Sequence, residues 1–168
     1  MSAKPRRPAG DNTHQQLIAR RRVARRLAMQ GTYQWIMTGN SFQEIYLYFQ
    51  EDLELAAEFR KSDTAFFHRL LRSAIENTEE LENRITPHLD RKLNQVDPIE
   101  HAVLRVATCE LLYHIETPYK VVVNEYINLA KKFGAEQAHK FVNGVLDKLA
   151  LDIRSLESRA QRNNGTQA

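Results

Sequence analysis

The chain has 168 residues, enough for one domain or two small subdomains around a shared core. Hydrophobic residues make up 42% and charged residues 27%, which excludes a disordered chain, and 6 glycines with 5 prolines are too few for a sandwich or barrel of many tight turns. The net charge of +3 hides an asymmetry: residues 1–26 hold eight Lys/Arg against the single acid Asp11, while the rest of the chain is net acidic.

Residues 1–12 are polar, punctuated by Pro5, Pro8 and Gly10, and read as a disordered basic tail. Thr13 with Gln16 matches a capping box and predicts a first helix from residue 13 to about Thr38, stopped by Gly39-Asn40. Ser41 caps a second helix with the stripe Phe42, Ile45, Phe49, Leu53 and Ala56. Ser62-Asp63 caps a third, carrying Phe66, Phe67, Leu70, Leu71, Ala74, Ile75, Leu81 and Ile85. Pro87 then opens or breaks a short segment from Leu89 to Leu93, which is counted among the helices. Asp97 before Pro98 is a helix start, and the stripe Ile99, Val103, Val106, Leu111 and Ile115 carries that helix to Glu116. Thr117-Pro118 begins the next, through Val122, Val123, Tyr126, Ile127 and Ala130 to a Gly134 C-cap. The last spans about Ala135 to Arg154, with Ala138, Phe141, Val142, Val145, Leu149 and Ile153 inward; residues 155–168 lose the periodicity and read as a loose tail. No stretch alternates at period two. The expected fold is all-α: about seven helices in one domain over 13–154, as two packed bundles at roughly 13–86 and 87–154.

The basic edge of the chain suits a polyanion, nucleic acid before an anionic membrane surface. No run approaches the ~20 apolar residues of a membrane-spanning helix, and no secretory signal opens the chain, so a cytoplasmic protein away from membranes is expected. The lone Cys109 sits among helical apolar residues and reads as a small buried hydrophobe.

Two places stand out. At about 100° per residue, Ala24, Leu27, Gly31 and Trp35 form a core-facing stripe on the first helix, with Arg22, Arg25, Arg26 and Tyr33 on one flank. Arg20 and Arg21 fall at the exposed helix start. A solvated face is the usual fate of one arginine. Here five arginines crowd residues 20–26 with no acid four residues away, and uncompensated like charge destabilises a helix, so anion binding is the better reading. On the last helix Phe141 lies at the edge of the core stripe beside Lys140, Gln137 and Gly144. An edge aromatic beside a cation can stack an unpaired base, although the pattern by itself favours a core role for Phe141. Glu136-x-x-His139 is half of a di-iron motif without its second copy, and neither a phosphate-cradling loop nor Gly-x-Ser-x-Gly occurs. No metal, cofactor or enzymatic activity is expected.

Thr-Pro-Tyr-Lys-Val-Val-Val-Asn-Glu-Tyr-Ile-Asn-Leu-Ala-Lys-Lys-Phe-Gly-Ala-Glu (117–136), followed by His-Lys-Phe-Val-Asn-Gly-Val-Leu-Asp-Lys (139–148), resembles the bacterial transcription antitermination factor family NusB. Arg21-Arg22-Val23-Ala24-Arg25, with Gln30, Tyr33 and Trp35, is similar to that family's N-terminal signature, and Glu100-His101-Ala102-Val103-Leu104-Arg105 also matches. The resemblance covers about 17–154. It implies an all-helical fold of two bundles and binding to the single-stranded boxA element of ribosomal RNA leader transcripts. It further implies partnership with NusE, a small-subunit ribosomal protein, and loading onto the RNA polymerase antitermination complex to suppress premature termination. By position it implies that Arg21, Arg22 and Arg25 hold phosphates, with Glu100, Arg105, Lys120, Gln137 and Phe141 near the RNA and His88 and Arg91 as weaker transfers. Arg20 and Lys140, read from the residues themselves, complete the candidate RNA-binding set.

Two departures accompany the resemblance. The segment before Leu17 is longer and more basic than the family pattern, which adds nonspecific RNA affinity, and Gln137 stands where the pattern has an acid, which favours RNA. The alternatives are a non-catalytic helper module for ribosomal RNA processing or modification, like the N-terminal domain of ribosomal RNA cytosine methyltransferases, and a homodimer that covers the Arg-rich helix.

Overall fold

The computed structural model describes residues 9–155, with side chains from residue 13 onward; the parts of the expected tails at 1–8 and 156–168 lie outside the described residues. The described residues form eight α-helices and two short 3-10 turns, with no strand among them. Helix α1 (Ala9–Thr38) begins four residues before Thr13, so Thr13 and Gln16 lie inside it and residues 9–12 are helical rather than tail. Arg20 and Arg21 are therefore well inside a long helix and not at its start. Gly39, at φ 71°, ends α1 in the left-handed conformation that glycine adopts without strain.

The expected second helix is two. Helix α2 (Phe42–Glu51) is capped as expected, the Ser41 hydroxyl accepting from the Glu44 amide at 3.2 Å. Asp52 then leaves helical backbone and accepts from the Glu54 and Leu55 amides at 3.1 and 3.0 Å, which starts α3 (Leu53–Arg60). Leu53, expected inward, is 90% exposed. The expected third helix also divides, at Asn77, into α4 (Thr64–Glu76), capped by Asp63, and α5 (Thr78–Ile85). In both cases one capping residue interrupts a stripe whose spacing continues across it. Pro87 falls within a 3-10 turn (Thr86–His88), a second turn covers Leu93–Gln95, and residues 89–92 between them are not helical, against expectation.

Helix α6 (Pro98–Tyr113) starts as expected, the Asp97 carboxylate accepting from the Ile99 amide at 2.9 Å. It stops at Tyr113 because His114 leaves the helical region, and Ile115 is exposed rather than core. Helix α7 (Tyr119–Phe133) ends at Gly134, whose backbone is extended rather than left-handed, and α8 (Ala138–Ile153) begins after it.

Helix α6 is the axis of the fold: every residue from Ala102 to Leu111 is buried, and α1, α4, α5, α7 and α8 all pack on it. A helix that is buried on all sides needs no polar face, and α6 accordingly carries only a few polar groups. Two of them, Arg105 and Glu110, tie α6 to neighbouring helices, as described below. On the other side of α1, a Cβ at Gly31 would come within 2.8 Å of Leu71, so glycine there permits the close approach of α4. No helix among the described residues is long and apolar enough to cross a membrane.

Candidate nucleic-acid interface

The arginine row of α1 has partners far away in sequence. Arg20 Nη2 donates to the Ser62 carbonyl at 3.1 Å. Arg21 lies 3.7 Å from Asp63 and 3.9 Å from Glu116, and its guanidinium stands 4.5 Å over the Phe66 ring. Arg22 Nε donates to Glu125 at 2.9 Å, and Arg26 pairs with Glu58. Four of the five charges left uncompensated along the helix, those of Arg21, Arg22, Arg25 and Arg26, thus meet acids from elsewhere in the fold. Arg21 and Arg22 line a groove of about 740 Å³ between α1 and α7, together with Leu17, Val121, Asn124 and Asn128. Lys120 is exposed in the first turn of α7, next to that groove.

Arg25 departs from expectation. It is buried, and its Nε and Nη2 donate to the two oxygens of Glu110 at 2.7 and 2.8 Å. The Tyr126 hydroxyl donates to the same carboxylate at 2.9 Å. Burial works against the charge on Arg25, but the hydrogen bond and charge of Glu110 outweigh it and hold the guanidinium above its usual pKa. Burial, and next the charge of Glu110, push the Tyr126 phenol well up. A guanidinium so engaged joins α1 to α6 and α7, and only its edge reaches the groove. Glu110 is the residue that sequence reasoning missed; its signal was a lone acid within an apolar run.

Arg105 also departs from the expected surface position. It is fully buried, donates from Nε to the Ala74 carbonyl at 3.0 Å and from Nη2 to Thr78 at 2.9 Å, and stacks 4.5 Å from the Trp35 ring. Its Nη1 is 3.6 Å from Glu82 and has no hydrogen-bond partner. It pins the α4–α5 break against α6. Arg154 does the corresponding work at the end of α6, donating to the carbonyls of Leu111, His114 and Thr117 at 2.6, 3.0 and 3.0 Å.

A second polar surface joins the 3-10 segment to α6 and α8. The Arg91 guanidinium stands 4.4 Å over the half-buried Phe141 ring. Arg91, and not Lys140, is the cation seated on this aromatic, and Asp90 receives its Nε at 2.8 Å. Glu100 faces the charge of Arg91; burial, then Asp97, raise its pKa, with Arg91 opposing. His88 Nε2 lies 3.4 Å from Asp152. Gln137 and Lys140 are exposed at the start of α8. Arg91, Phe141 and Glu100 therefore form one patch, and the transfer held weakest in sequence, Arg91, is at its centre.

Among the described residues no group of three His, Cys, Asp or Glu is placed to hold a metal ion. Cys109 is buried, and burial pushes its thiol far above the range of a reactive thiolate.

The NusB family model matches residues 22–151, which include Arg91, Glu100 and Phe141 and the two α1 arginines near Glu125, Arg22 and Arg25. The chain belongs to the NusB family. It is 47% identical over 145 residues to transcription antitermination protein NusB of Azoarcus sp. strain BH72, covering 86% of this chain and 91% of that protein. To the NusB of Pasteurella multocida it is 46% identical over 140 residues, covering 83% of this chain and 94% of the other. Among solved structures, NusB from T. maritima superimposes with a TM-score of 0.64 at 28% identity, covering 77% of this chain and 89% of that one. A complex of the antitermination factors NusB and NusE with double-stranded RNA gives 0.65 at 27% identity, covering 77% and 94%. The all-α architecture is that of the NusB family.

Proposed function

We propose that this chain is a transcription antitermination factor that binds the boxA element of ribosomal RNA leader transcripts together with NusE and suppresses premature termination by RNA polymerase. The observation that carries this reading is kinship with antitermination proteins over more than four-fifths of the chain. A NusB–NusE complex with RNA of the same fold supports it. The protein acts in the cytoplasm as an adaptor, without turnover.

Phosphate contacts come from the exposed cations, Arg20, Arg22 and Lys120 with Arg21 at the groove edge, and Lys140 on α8. Base recognition comes from the other patch. Phe141 offers a ring face to an unpaired base once Arg91 shifts its guanidinium, and Glu100 accepts from the amino group of a base. Arg25 and Arg105 contribute by holding α1, α4 and α7 on α6 and make no RNA contact. Gln137, beside these cations without a negative charge of its own, favours the bound state.

The test is a titration of labelled boxA RNA, a scrambled RNA of equal length and a duplex of the boxA sequence, each at two salt concentrations, with and without NusE. Binding is expected to weaken with salt at roughly −0.7 per phosphate on a log–log plot, to prefer single-stranded boxA, and to tighten with NusE. Equal binding to all three RNAs overturns the reading. The duplex arm matters because the related complex contains double-stranded RNA.

A further inference from the structure

Arg22 is the most open guanidinium of the α1–α7 groove with a resolved partner: 63% of its side chain is exposed, yet its Nε is bonded to Glu125 at 2.9 Å. Glu125 is only 15% exposed and is itself held in place, 4.0 Å from Arg25 Nη1, while Arg25 is locked to Glu110. Arg21, the residue before Arg22 on α1, meets Glu116 at 3.9 Å and Asp63 at 3.7 Å. A carboxylate and a phosphate present the same pair of anionic oxygens to a guanidinium fork. Two of the cations assigned to RNA, Arg22 and Arg21, are therefore already paired with acids, and Glu125 is kept near Arg22 by the buried Arg25–Glu110 pair beside it.

We propose that Glu125, seconded by Glu116, is an intramolecular competitor for RNA phosphate: a fixed counter-anion that sets the strength of RNA binding in the groove. The inference rests on the RNA-binding reading above and concerns the electrostatic part of it. Phosphate affinity arises from cations that give up mobile counterions. A guanidinium paired to a fixed carboxylate has fewer to give up, and an incoming phosphate also meets the carboxylate's repulsion. The penalty falls on any RNA, whatever its sequence, so it lowers absolute affinity and leaves the preference for boxA to the Arg91–Phe141 patch. A chain with eight basic residues in its first 26 is in this way kept from holding arbitrary transcripts tightly.

The experiment compares the full chain with Glu125→Gln and Glu116→Gln, titrated into boxA and scrambled RNA at two salt concentrations. Glutamine keeps the side-chain volume and an oxygen that accepts from Arg22 Nε, while it removes the charge and turns the second oxygen into an NH2 donor. Glu125→Gln is expected to bind both RNAs about fivefold more tightly, with a log–log salt slope steeper by roughly 0.7 and an unchanged ratio between the RNAs. Glu116→Gln, at the longer distance and in fuller contact with water, is expected to tighten both by about twofold. Should Glu125→Gln fail to melt cooperatively, Glu116→Gln alone decides. Unchanged or weaker binding overturns the inference, because the acid then serves only to position Arg22. A preference for boxA with no effect of the variants leaves the antitermination reading standing and removes this one. Tighter binding of the variants to both RNAs with no boxA preference does the reverse.

Discussion

Arg22 and Arg25 lie three residues apart on one helix, and both meet an acid brought in from another helix. Arg22 stands in water and its pair is of the exposed kind, worth about 0.2–1 kcal/mol. Arg25 and Glu110 are sealed between α1, α6 and α7 with Tyr126 as a third member. Removing one partner there strands a charge in a medium that cannot solvate it. The same residue type thus serves the fold on the inner edge of α1 and stays available to a ligand on the outer edge. Depth below the surface separates the two roles. The same contrast holds between Arg105, closed in by Trp35 and the Ala74 carbonyl, and Arg91, open on the Phe141 ring.

Substitutions can break or sharpen this contrast. Arg25→Ala is expected to cost roughly 3–5 kcal/mol of folding stability by leaving Glu110 buried and unpaired. Chemical denaturation measures it, and a variant of wild-type stability that loses only RNA affinity would move Arg25 to the ligand side. Phe141→Ala is expected to cost boxA binding about 1–3 kcal/mol and scrambled RNA much less; equal losses on both would make the ring a core residue. Arg22→Ala is expected to leave stability within about 0.5 kcal/mol and to flatten the salt slope by at most roughly 0.7. Gln137→Asp, which restores an acid beside Lys140, is expected to weaken boxA binding by about twofold, read in the same titration.

The most screened effect is in pH. Burial, and next the charge of Arg105, hold His101 down at a pKa of about 4 in the folded chain. The unfolded chain binds a proton near pH 6.5, so it takes up more protons than the native state between these values. The contribution of His101 is therefore complete above about pH 6.5, declines as the pH falls towards 4, and is gone below that. Denaturation midpoints at pH 7 and 5 for wild type and His101→Gln measure it; the variant is expected to lose less stability over that interval.

Much of the fold was legible because helix caps and apolar stripes are local. Ser41, Asp63 and Asp97 start helices where their spacing said they would. Asp52 and Asn77 were passed over because the stripes on either side stay nearly in phase, so periodicity reads through the break. The site was legible only in part. A search for acids four residues from each arginine of residues 20–26 finds none, whereas the actual partners, Glu58, Glu110, Glu116 and Glu125, sit on other elements. Lys140 was the near neighbour of Phe141 in sequence, but the folded chain places Arg91 on that ring.

The amino-acid sequence by itself determined the all-α class, most helix starts, the family and the inventory of cations, because capping, 3.6-residue periodicity and motif spacing act over a few residues. Tertiary structure alone decided which cations are buried in pairs and which stay exposed. Whether an arginine is desolvated against a carboxylate or left in water depends on helices that meet across dozens of residues, and burial sets the strength of every charge interaction that follows.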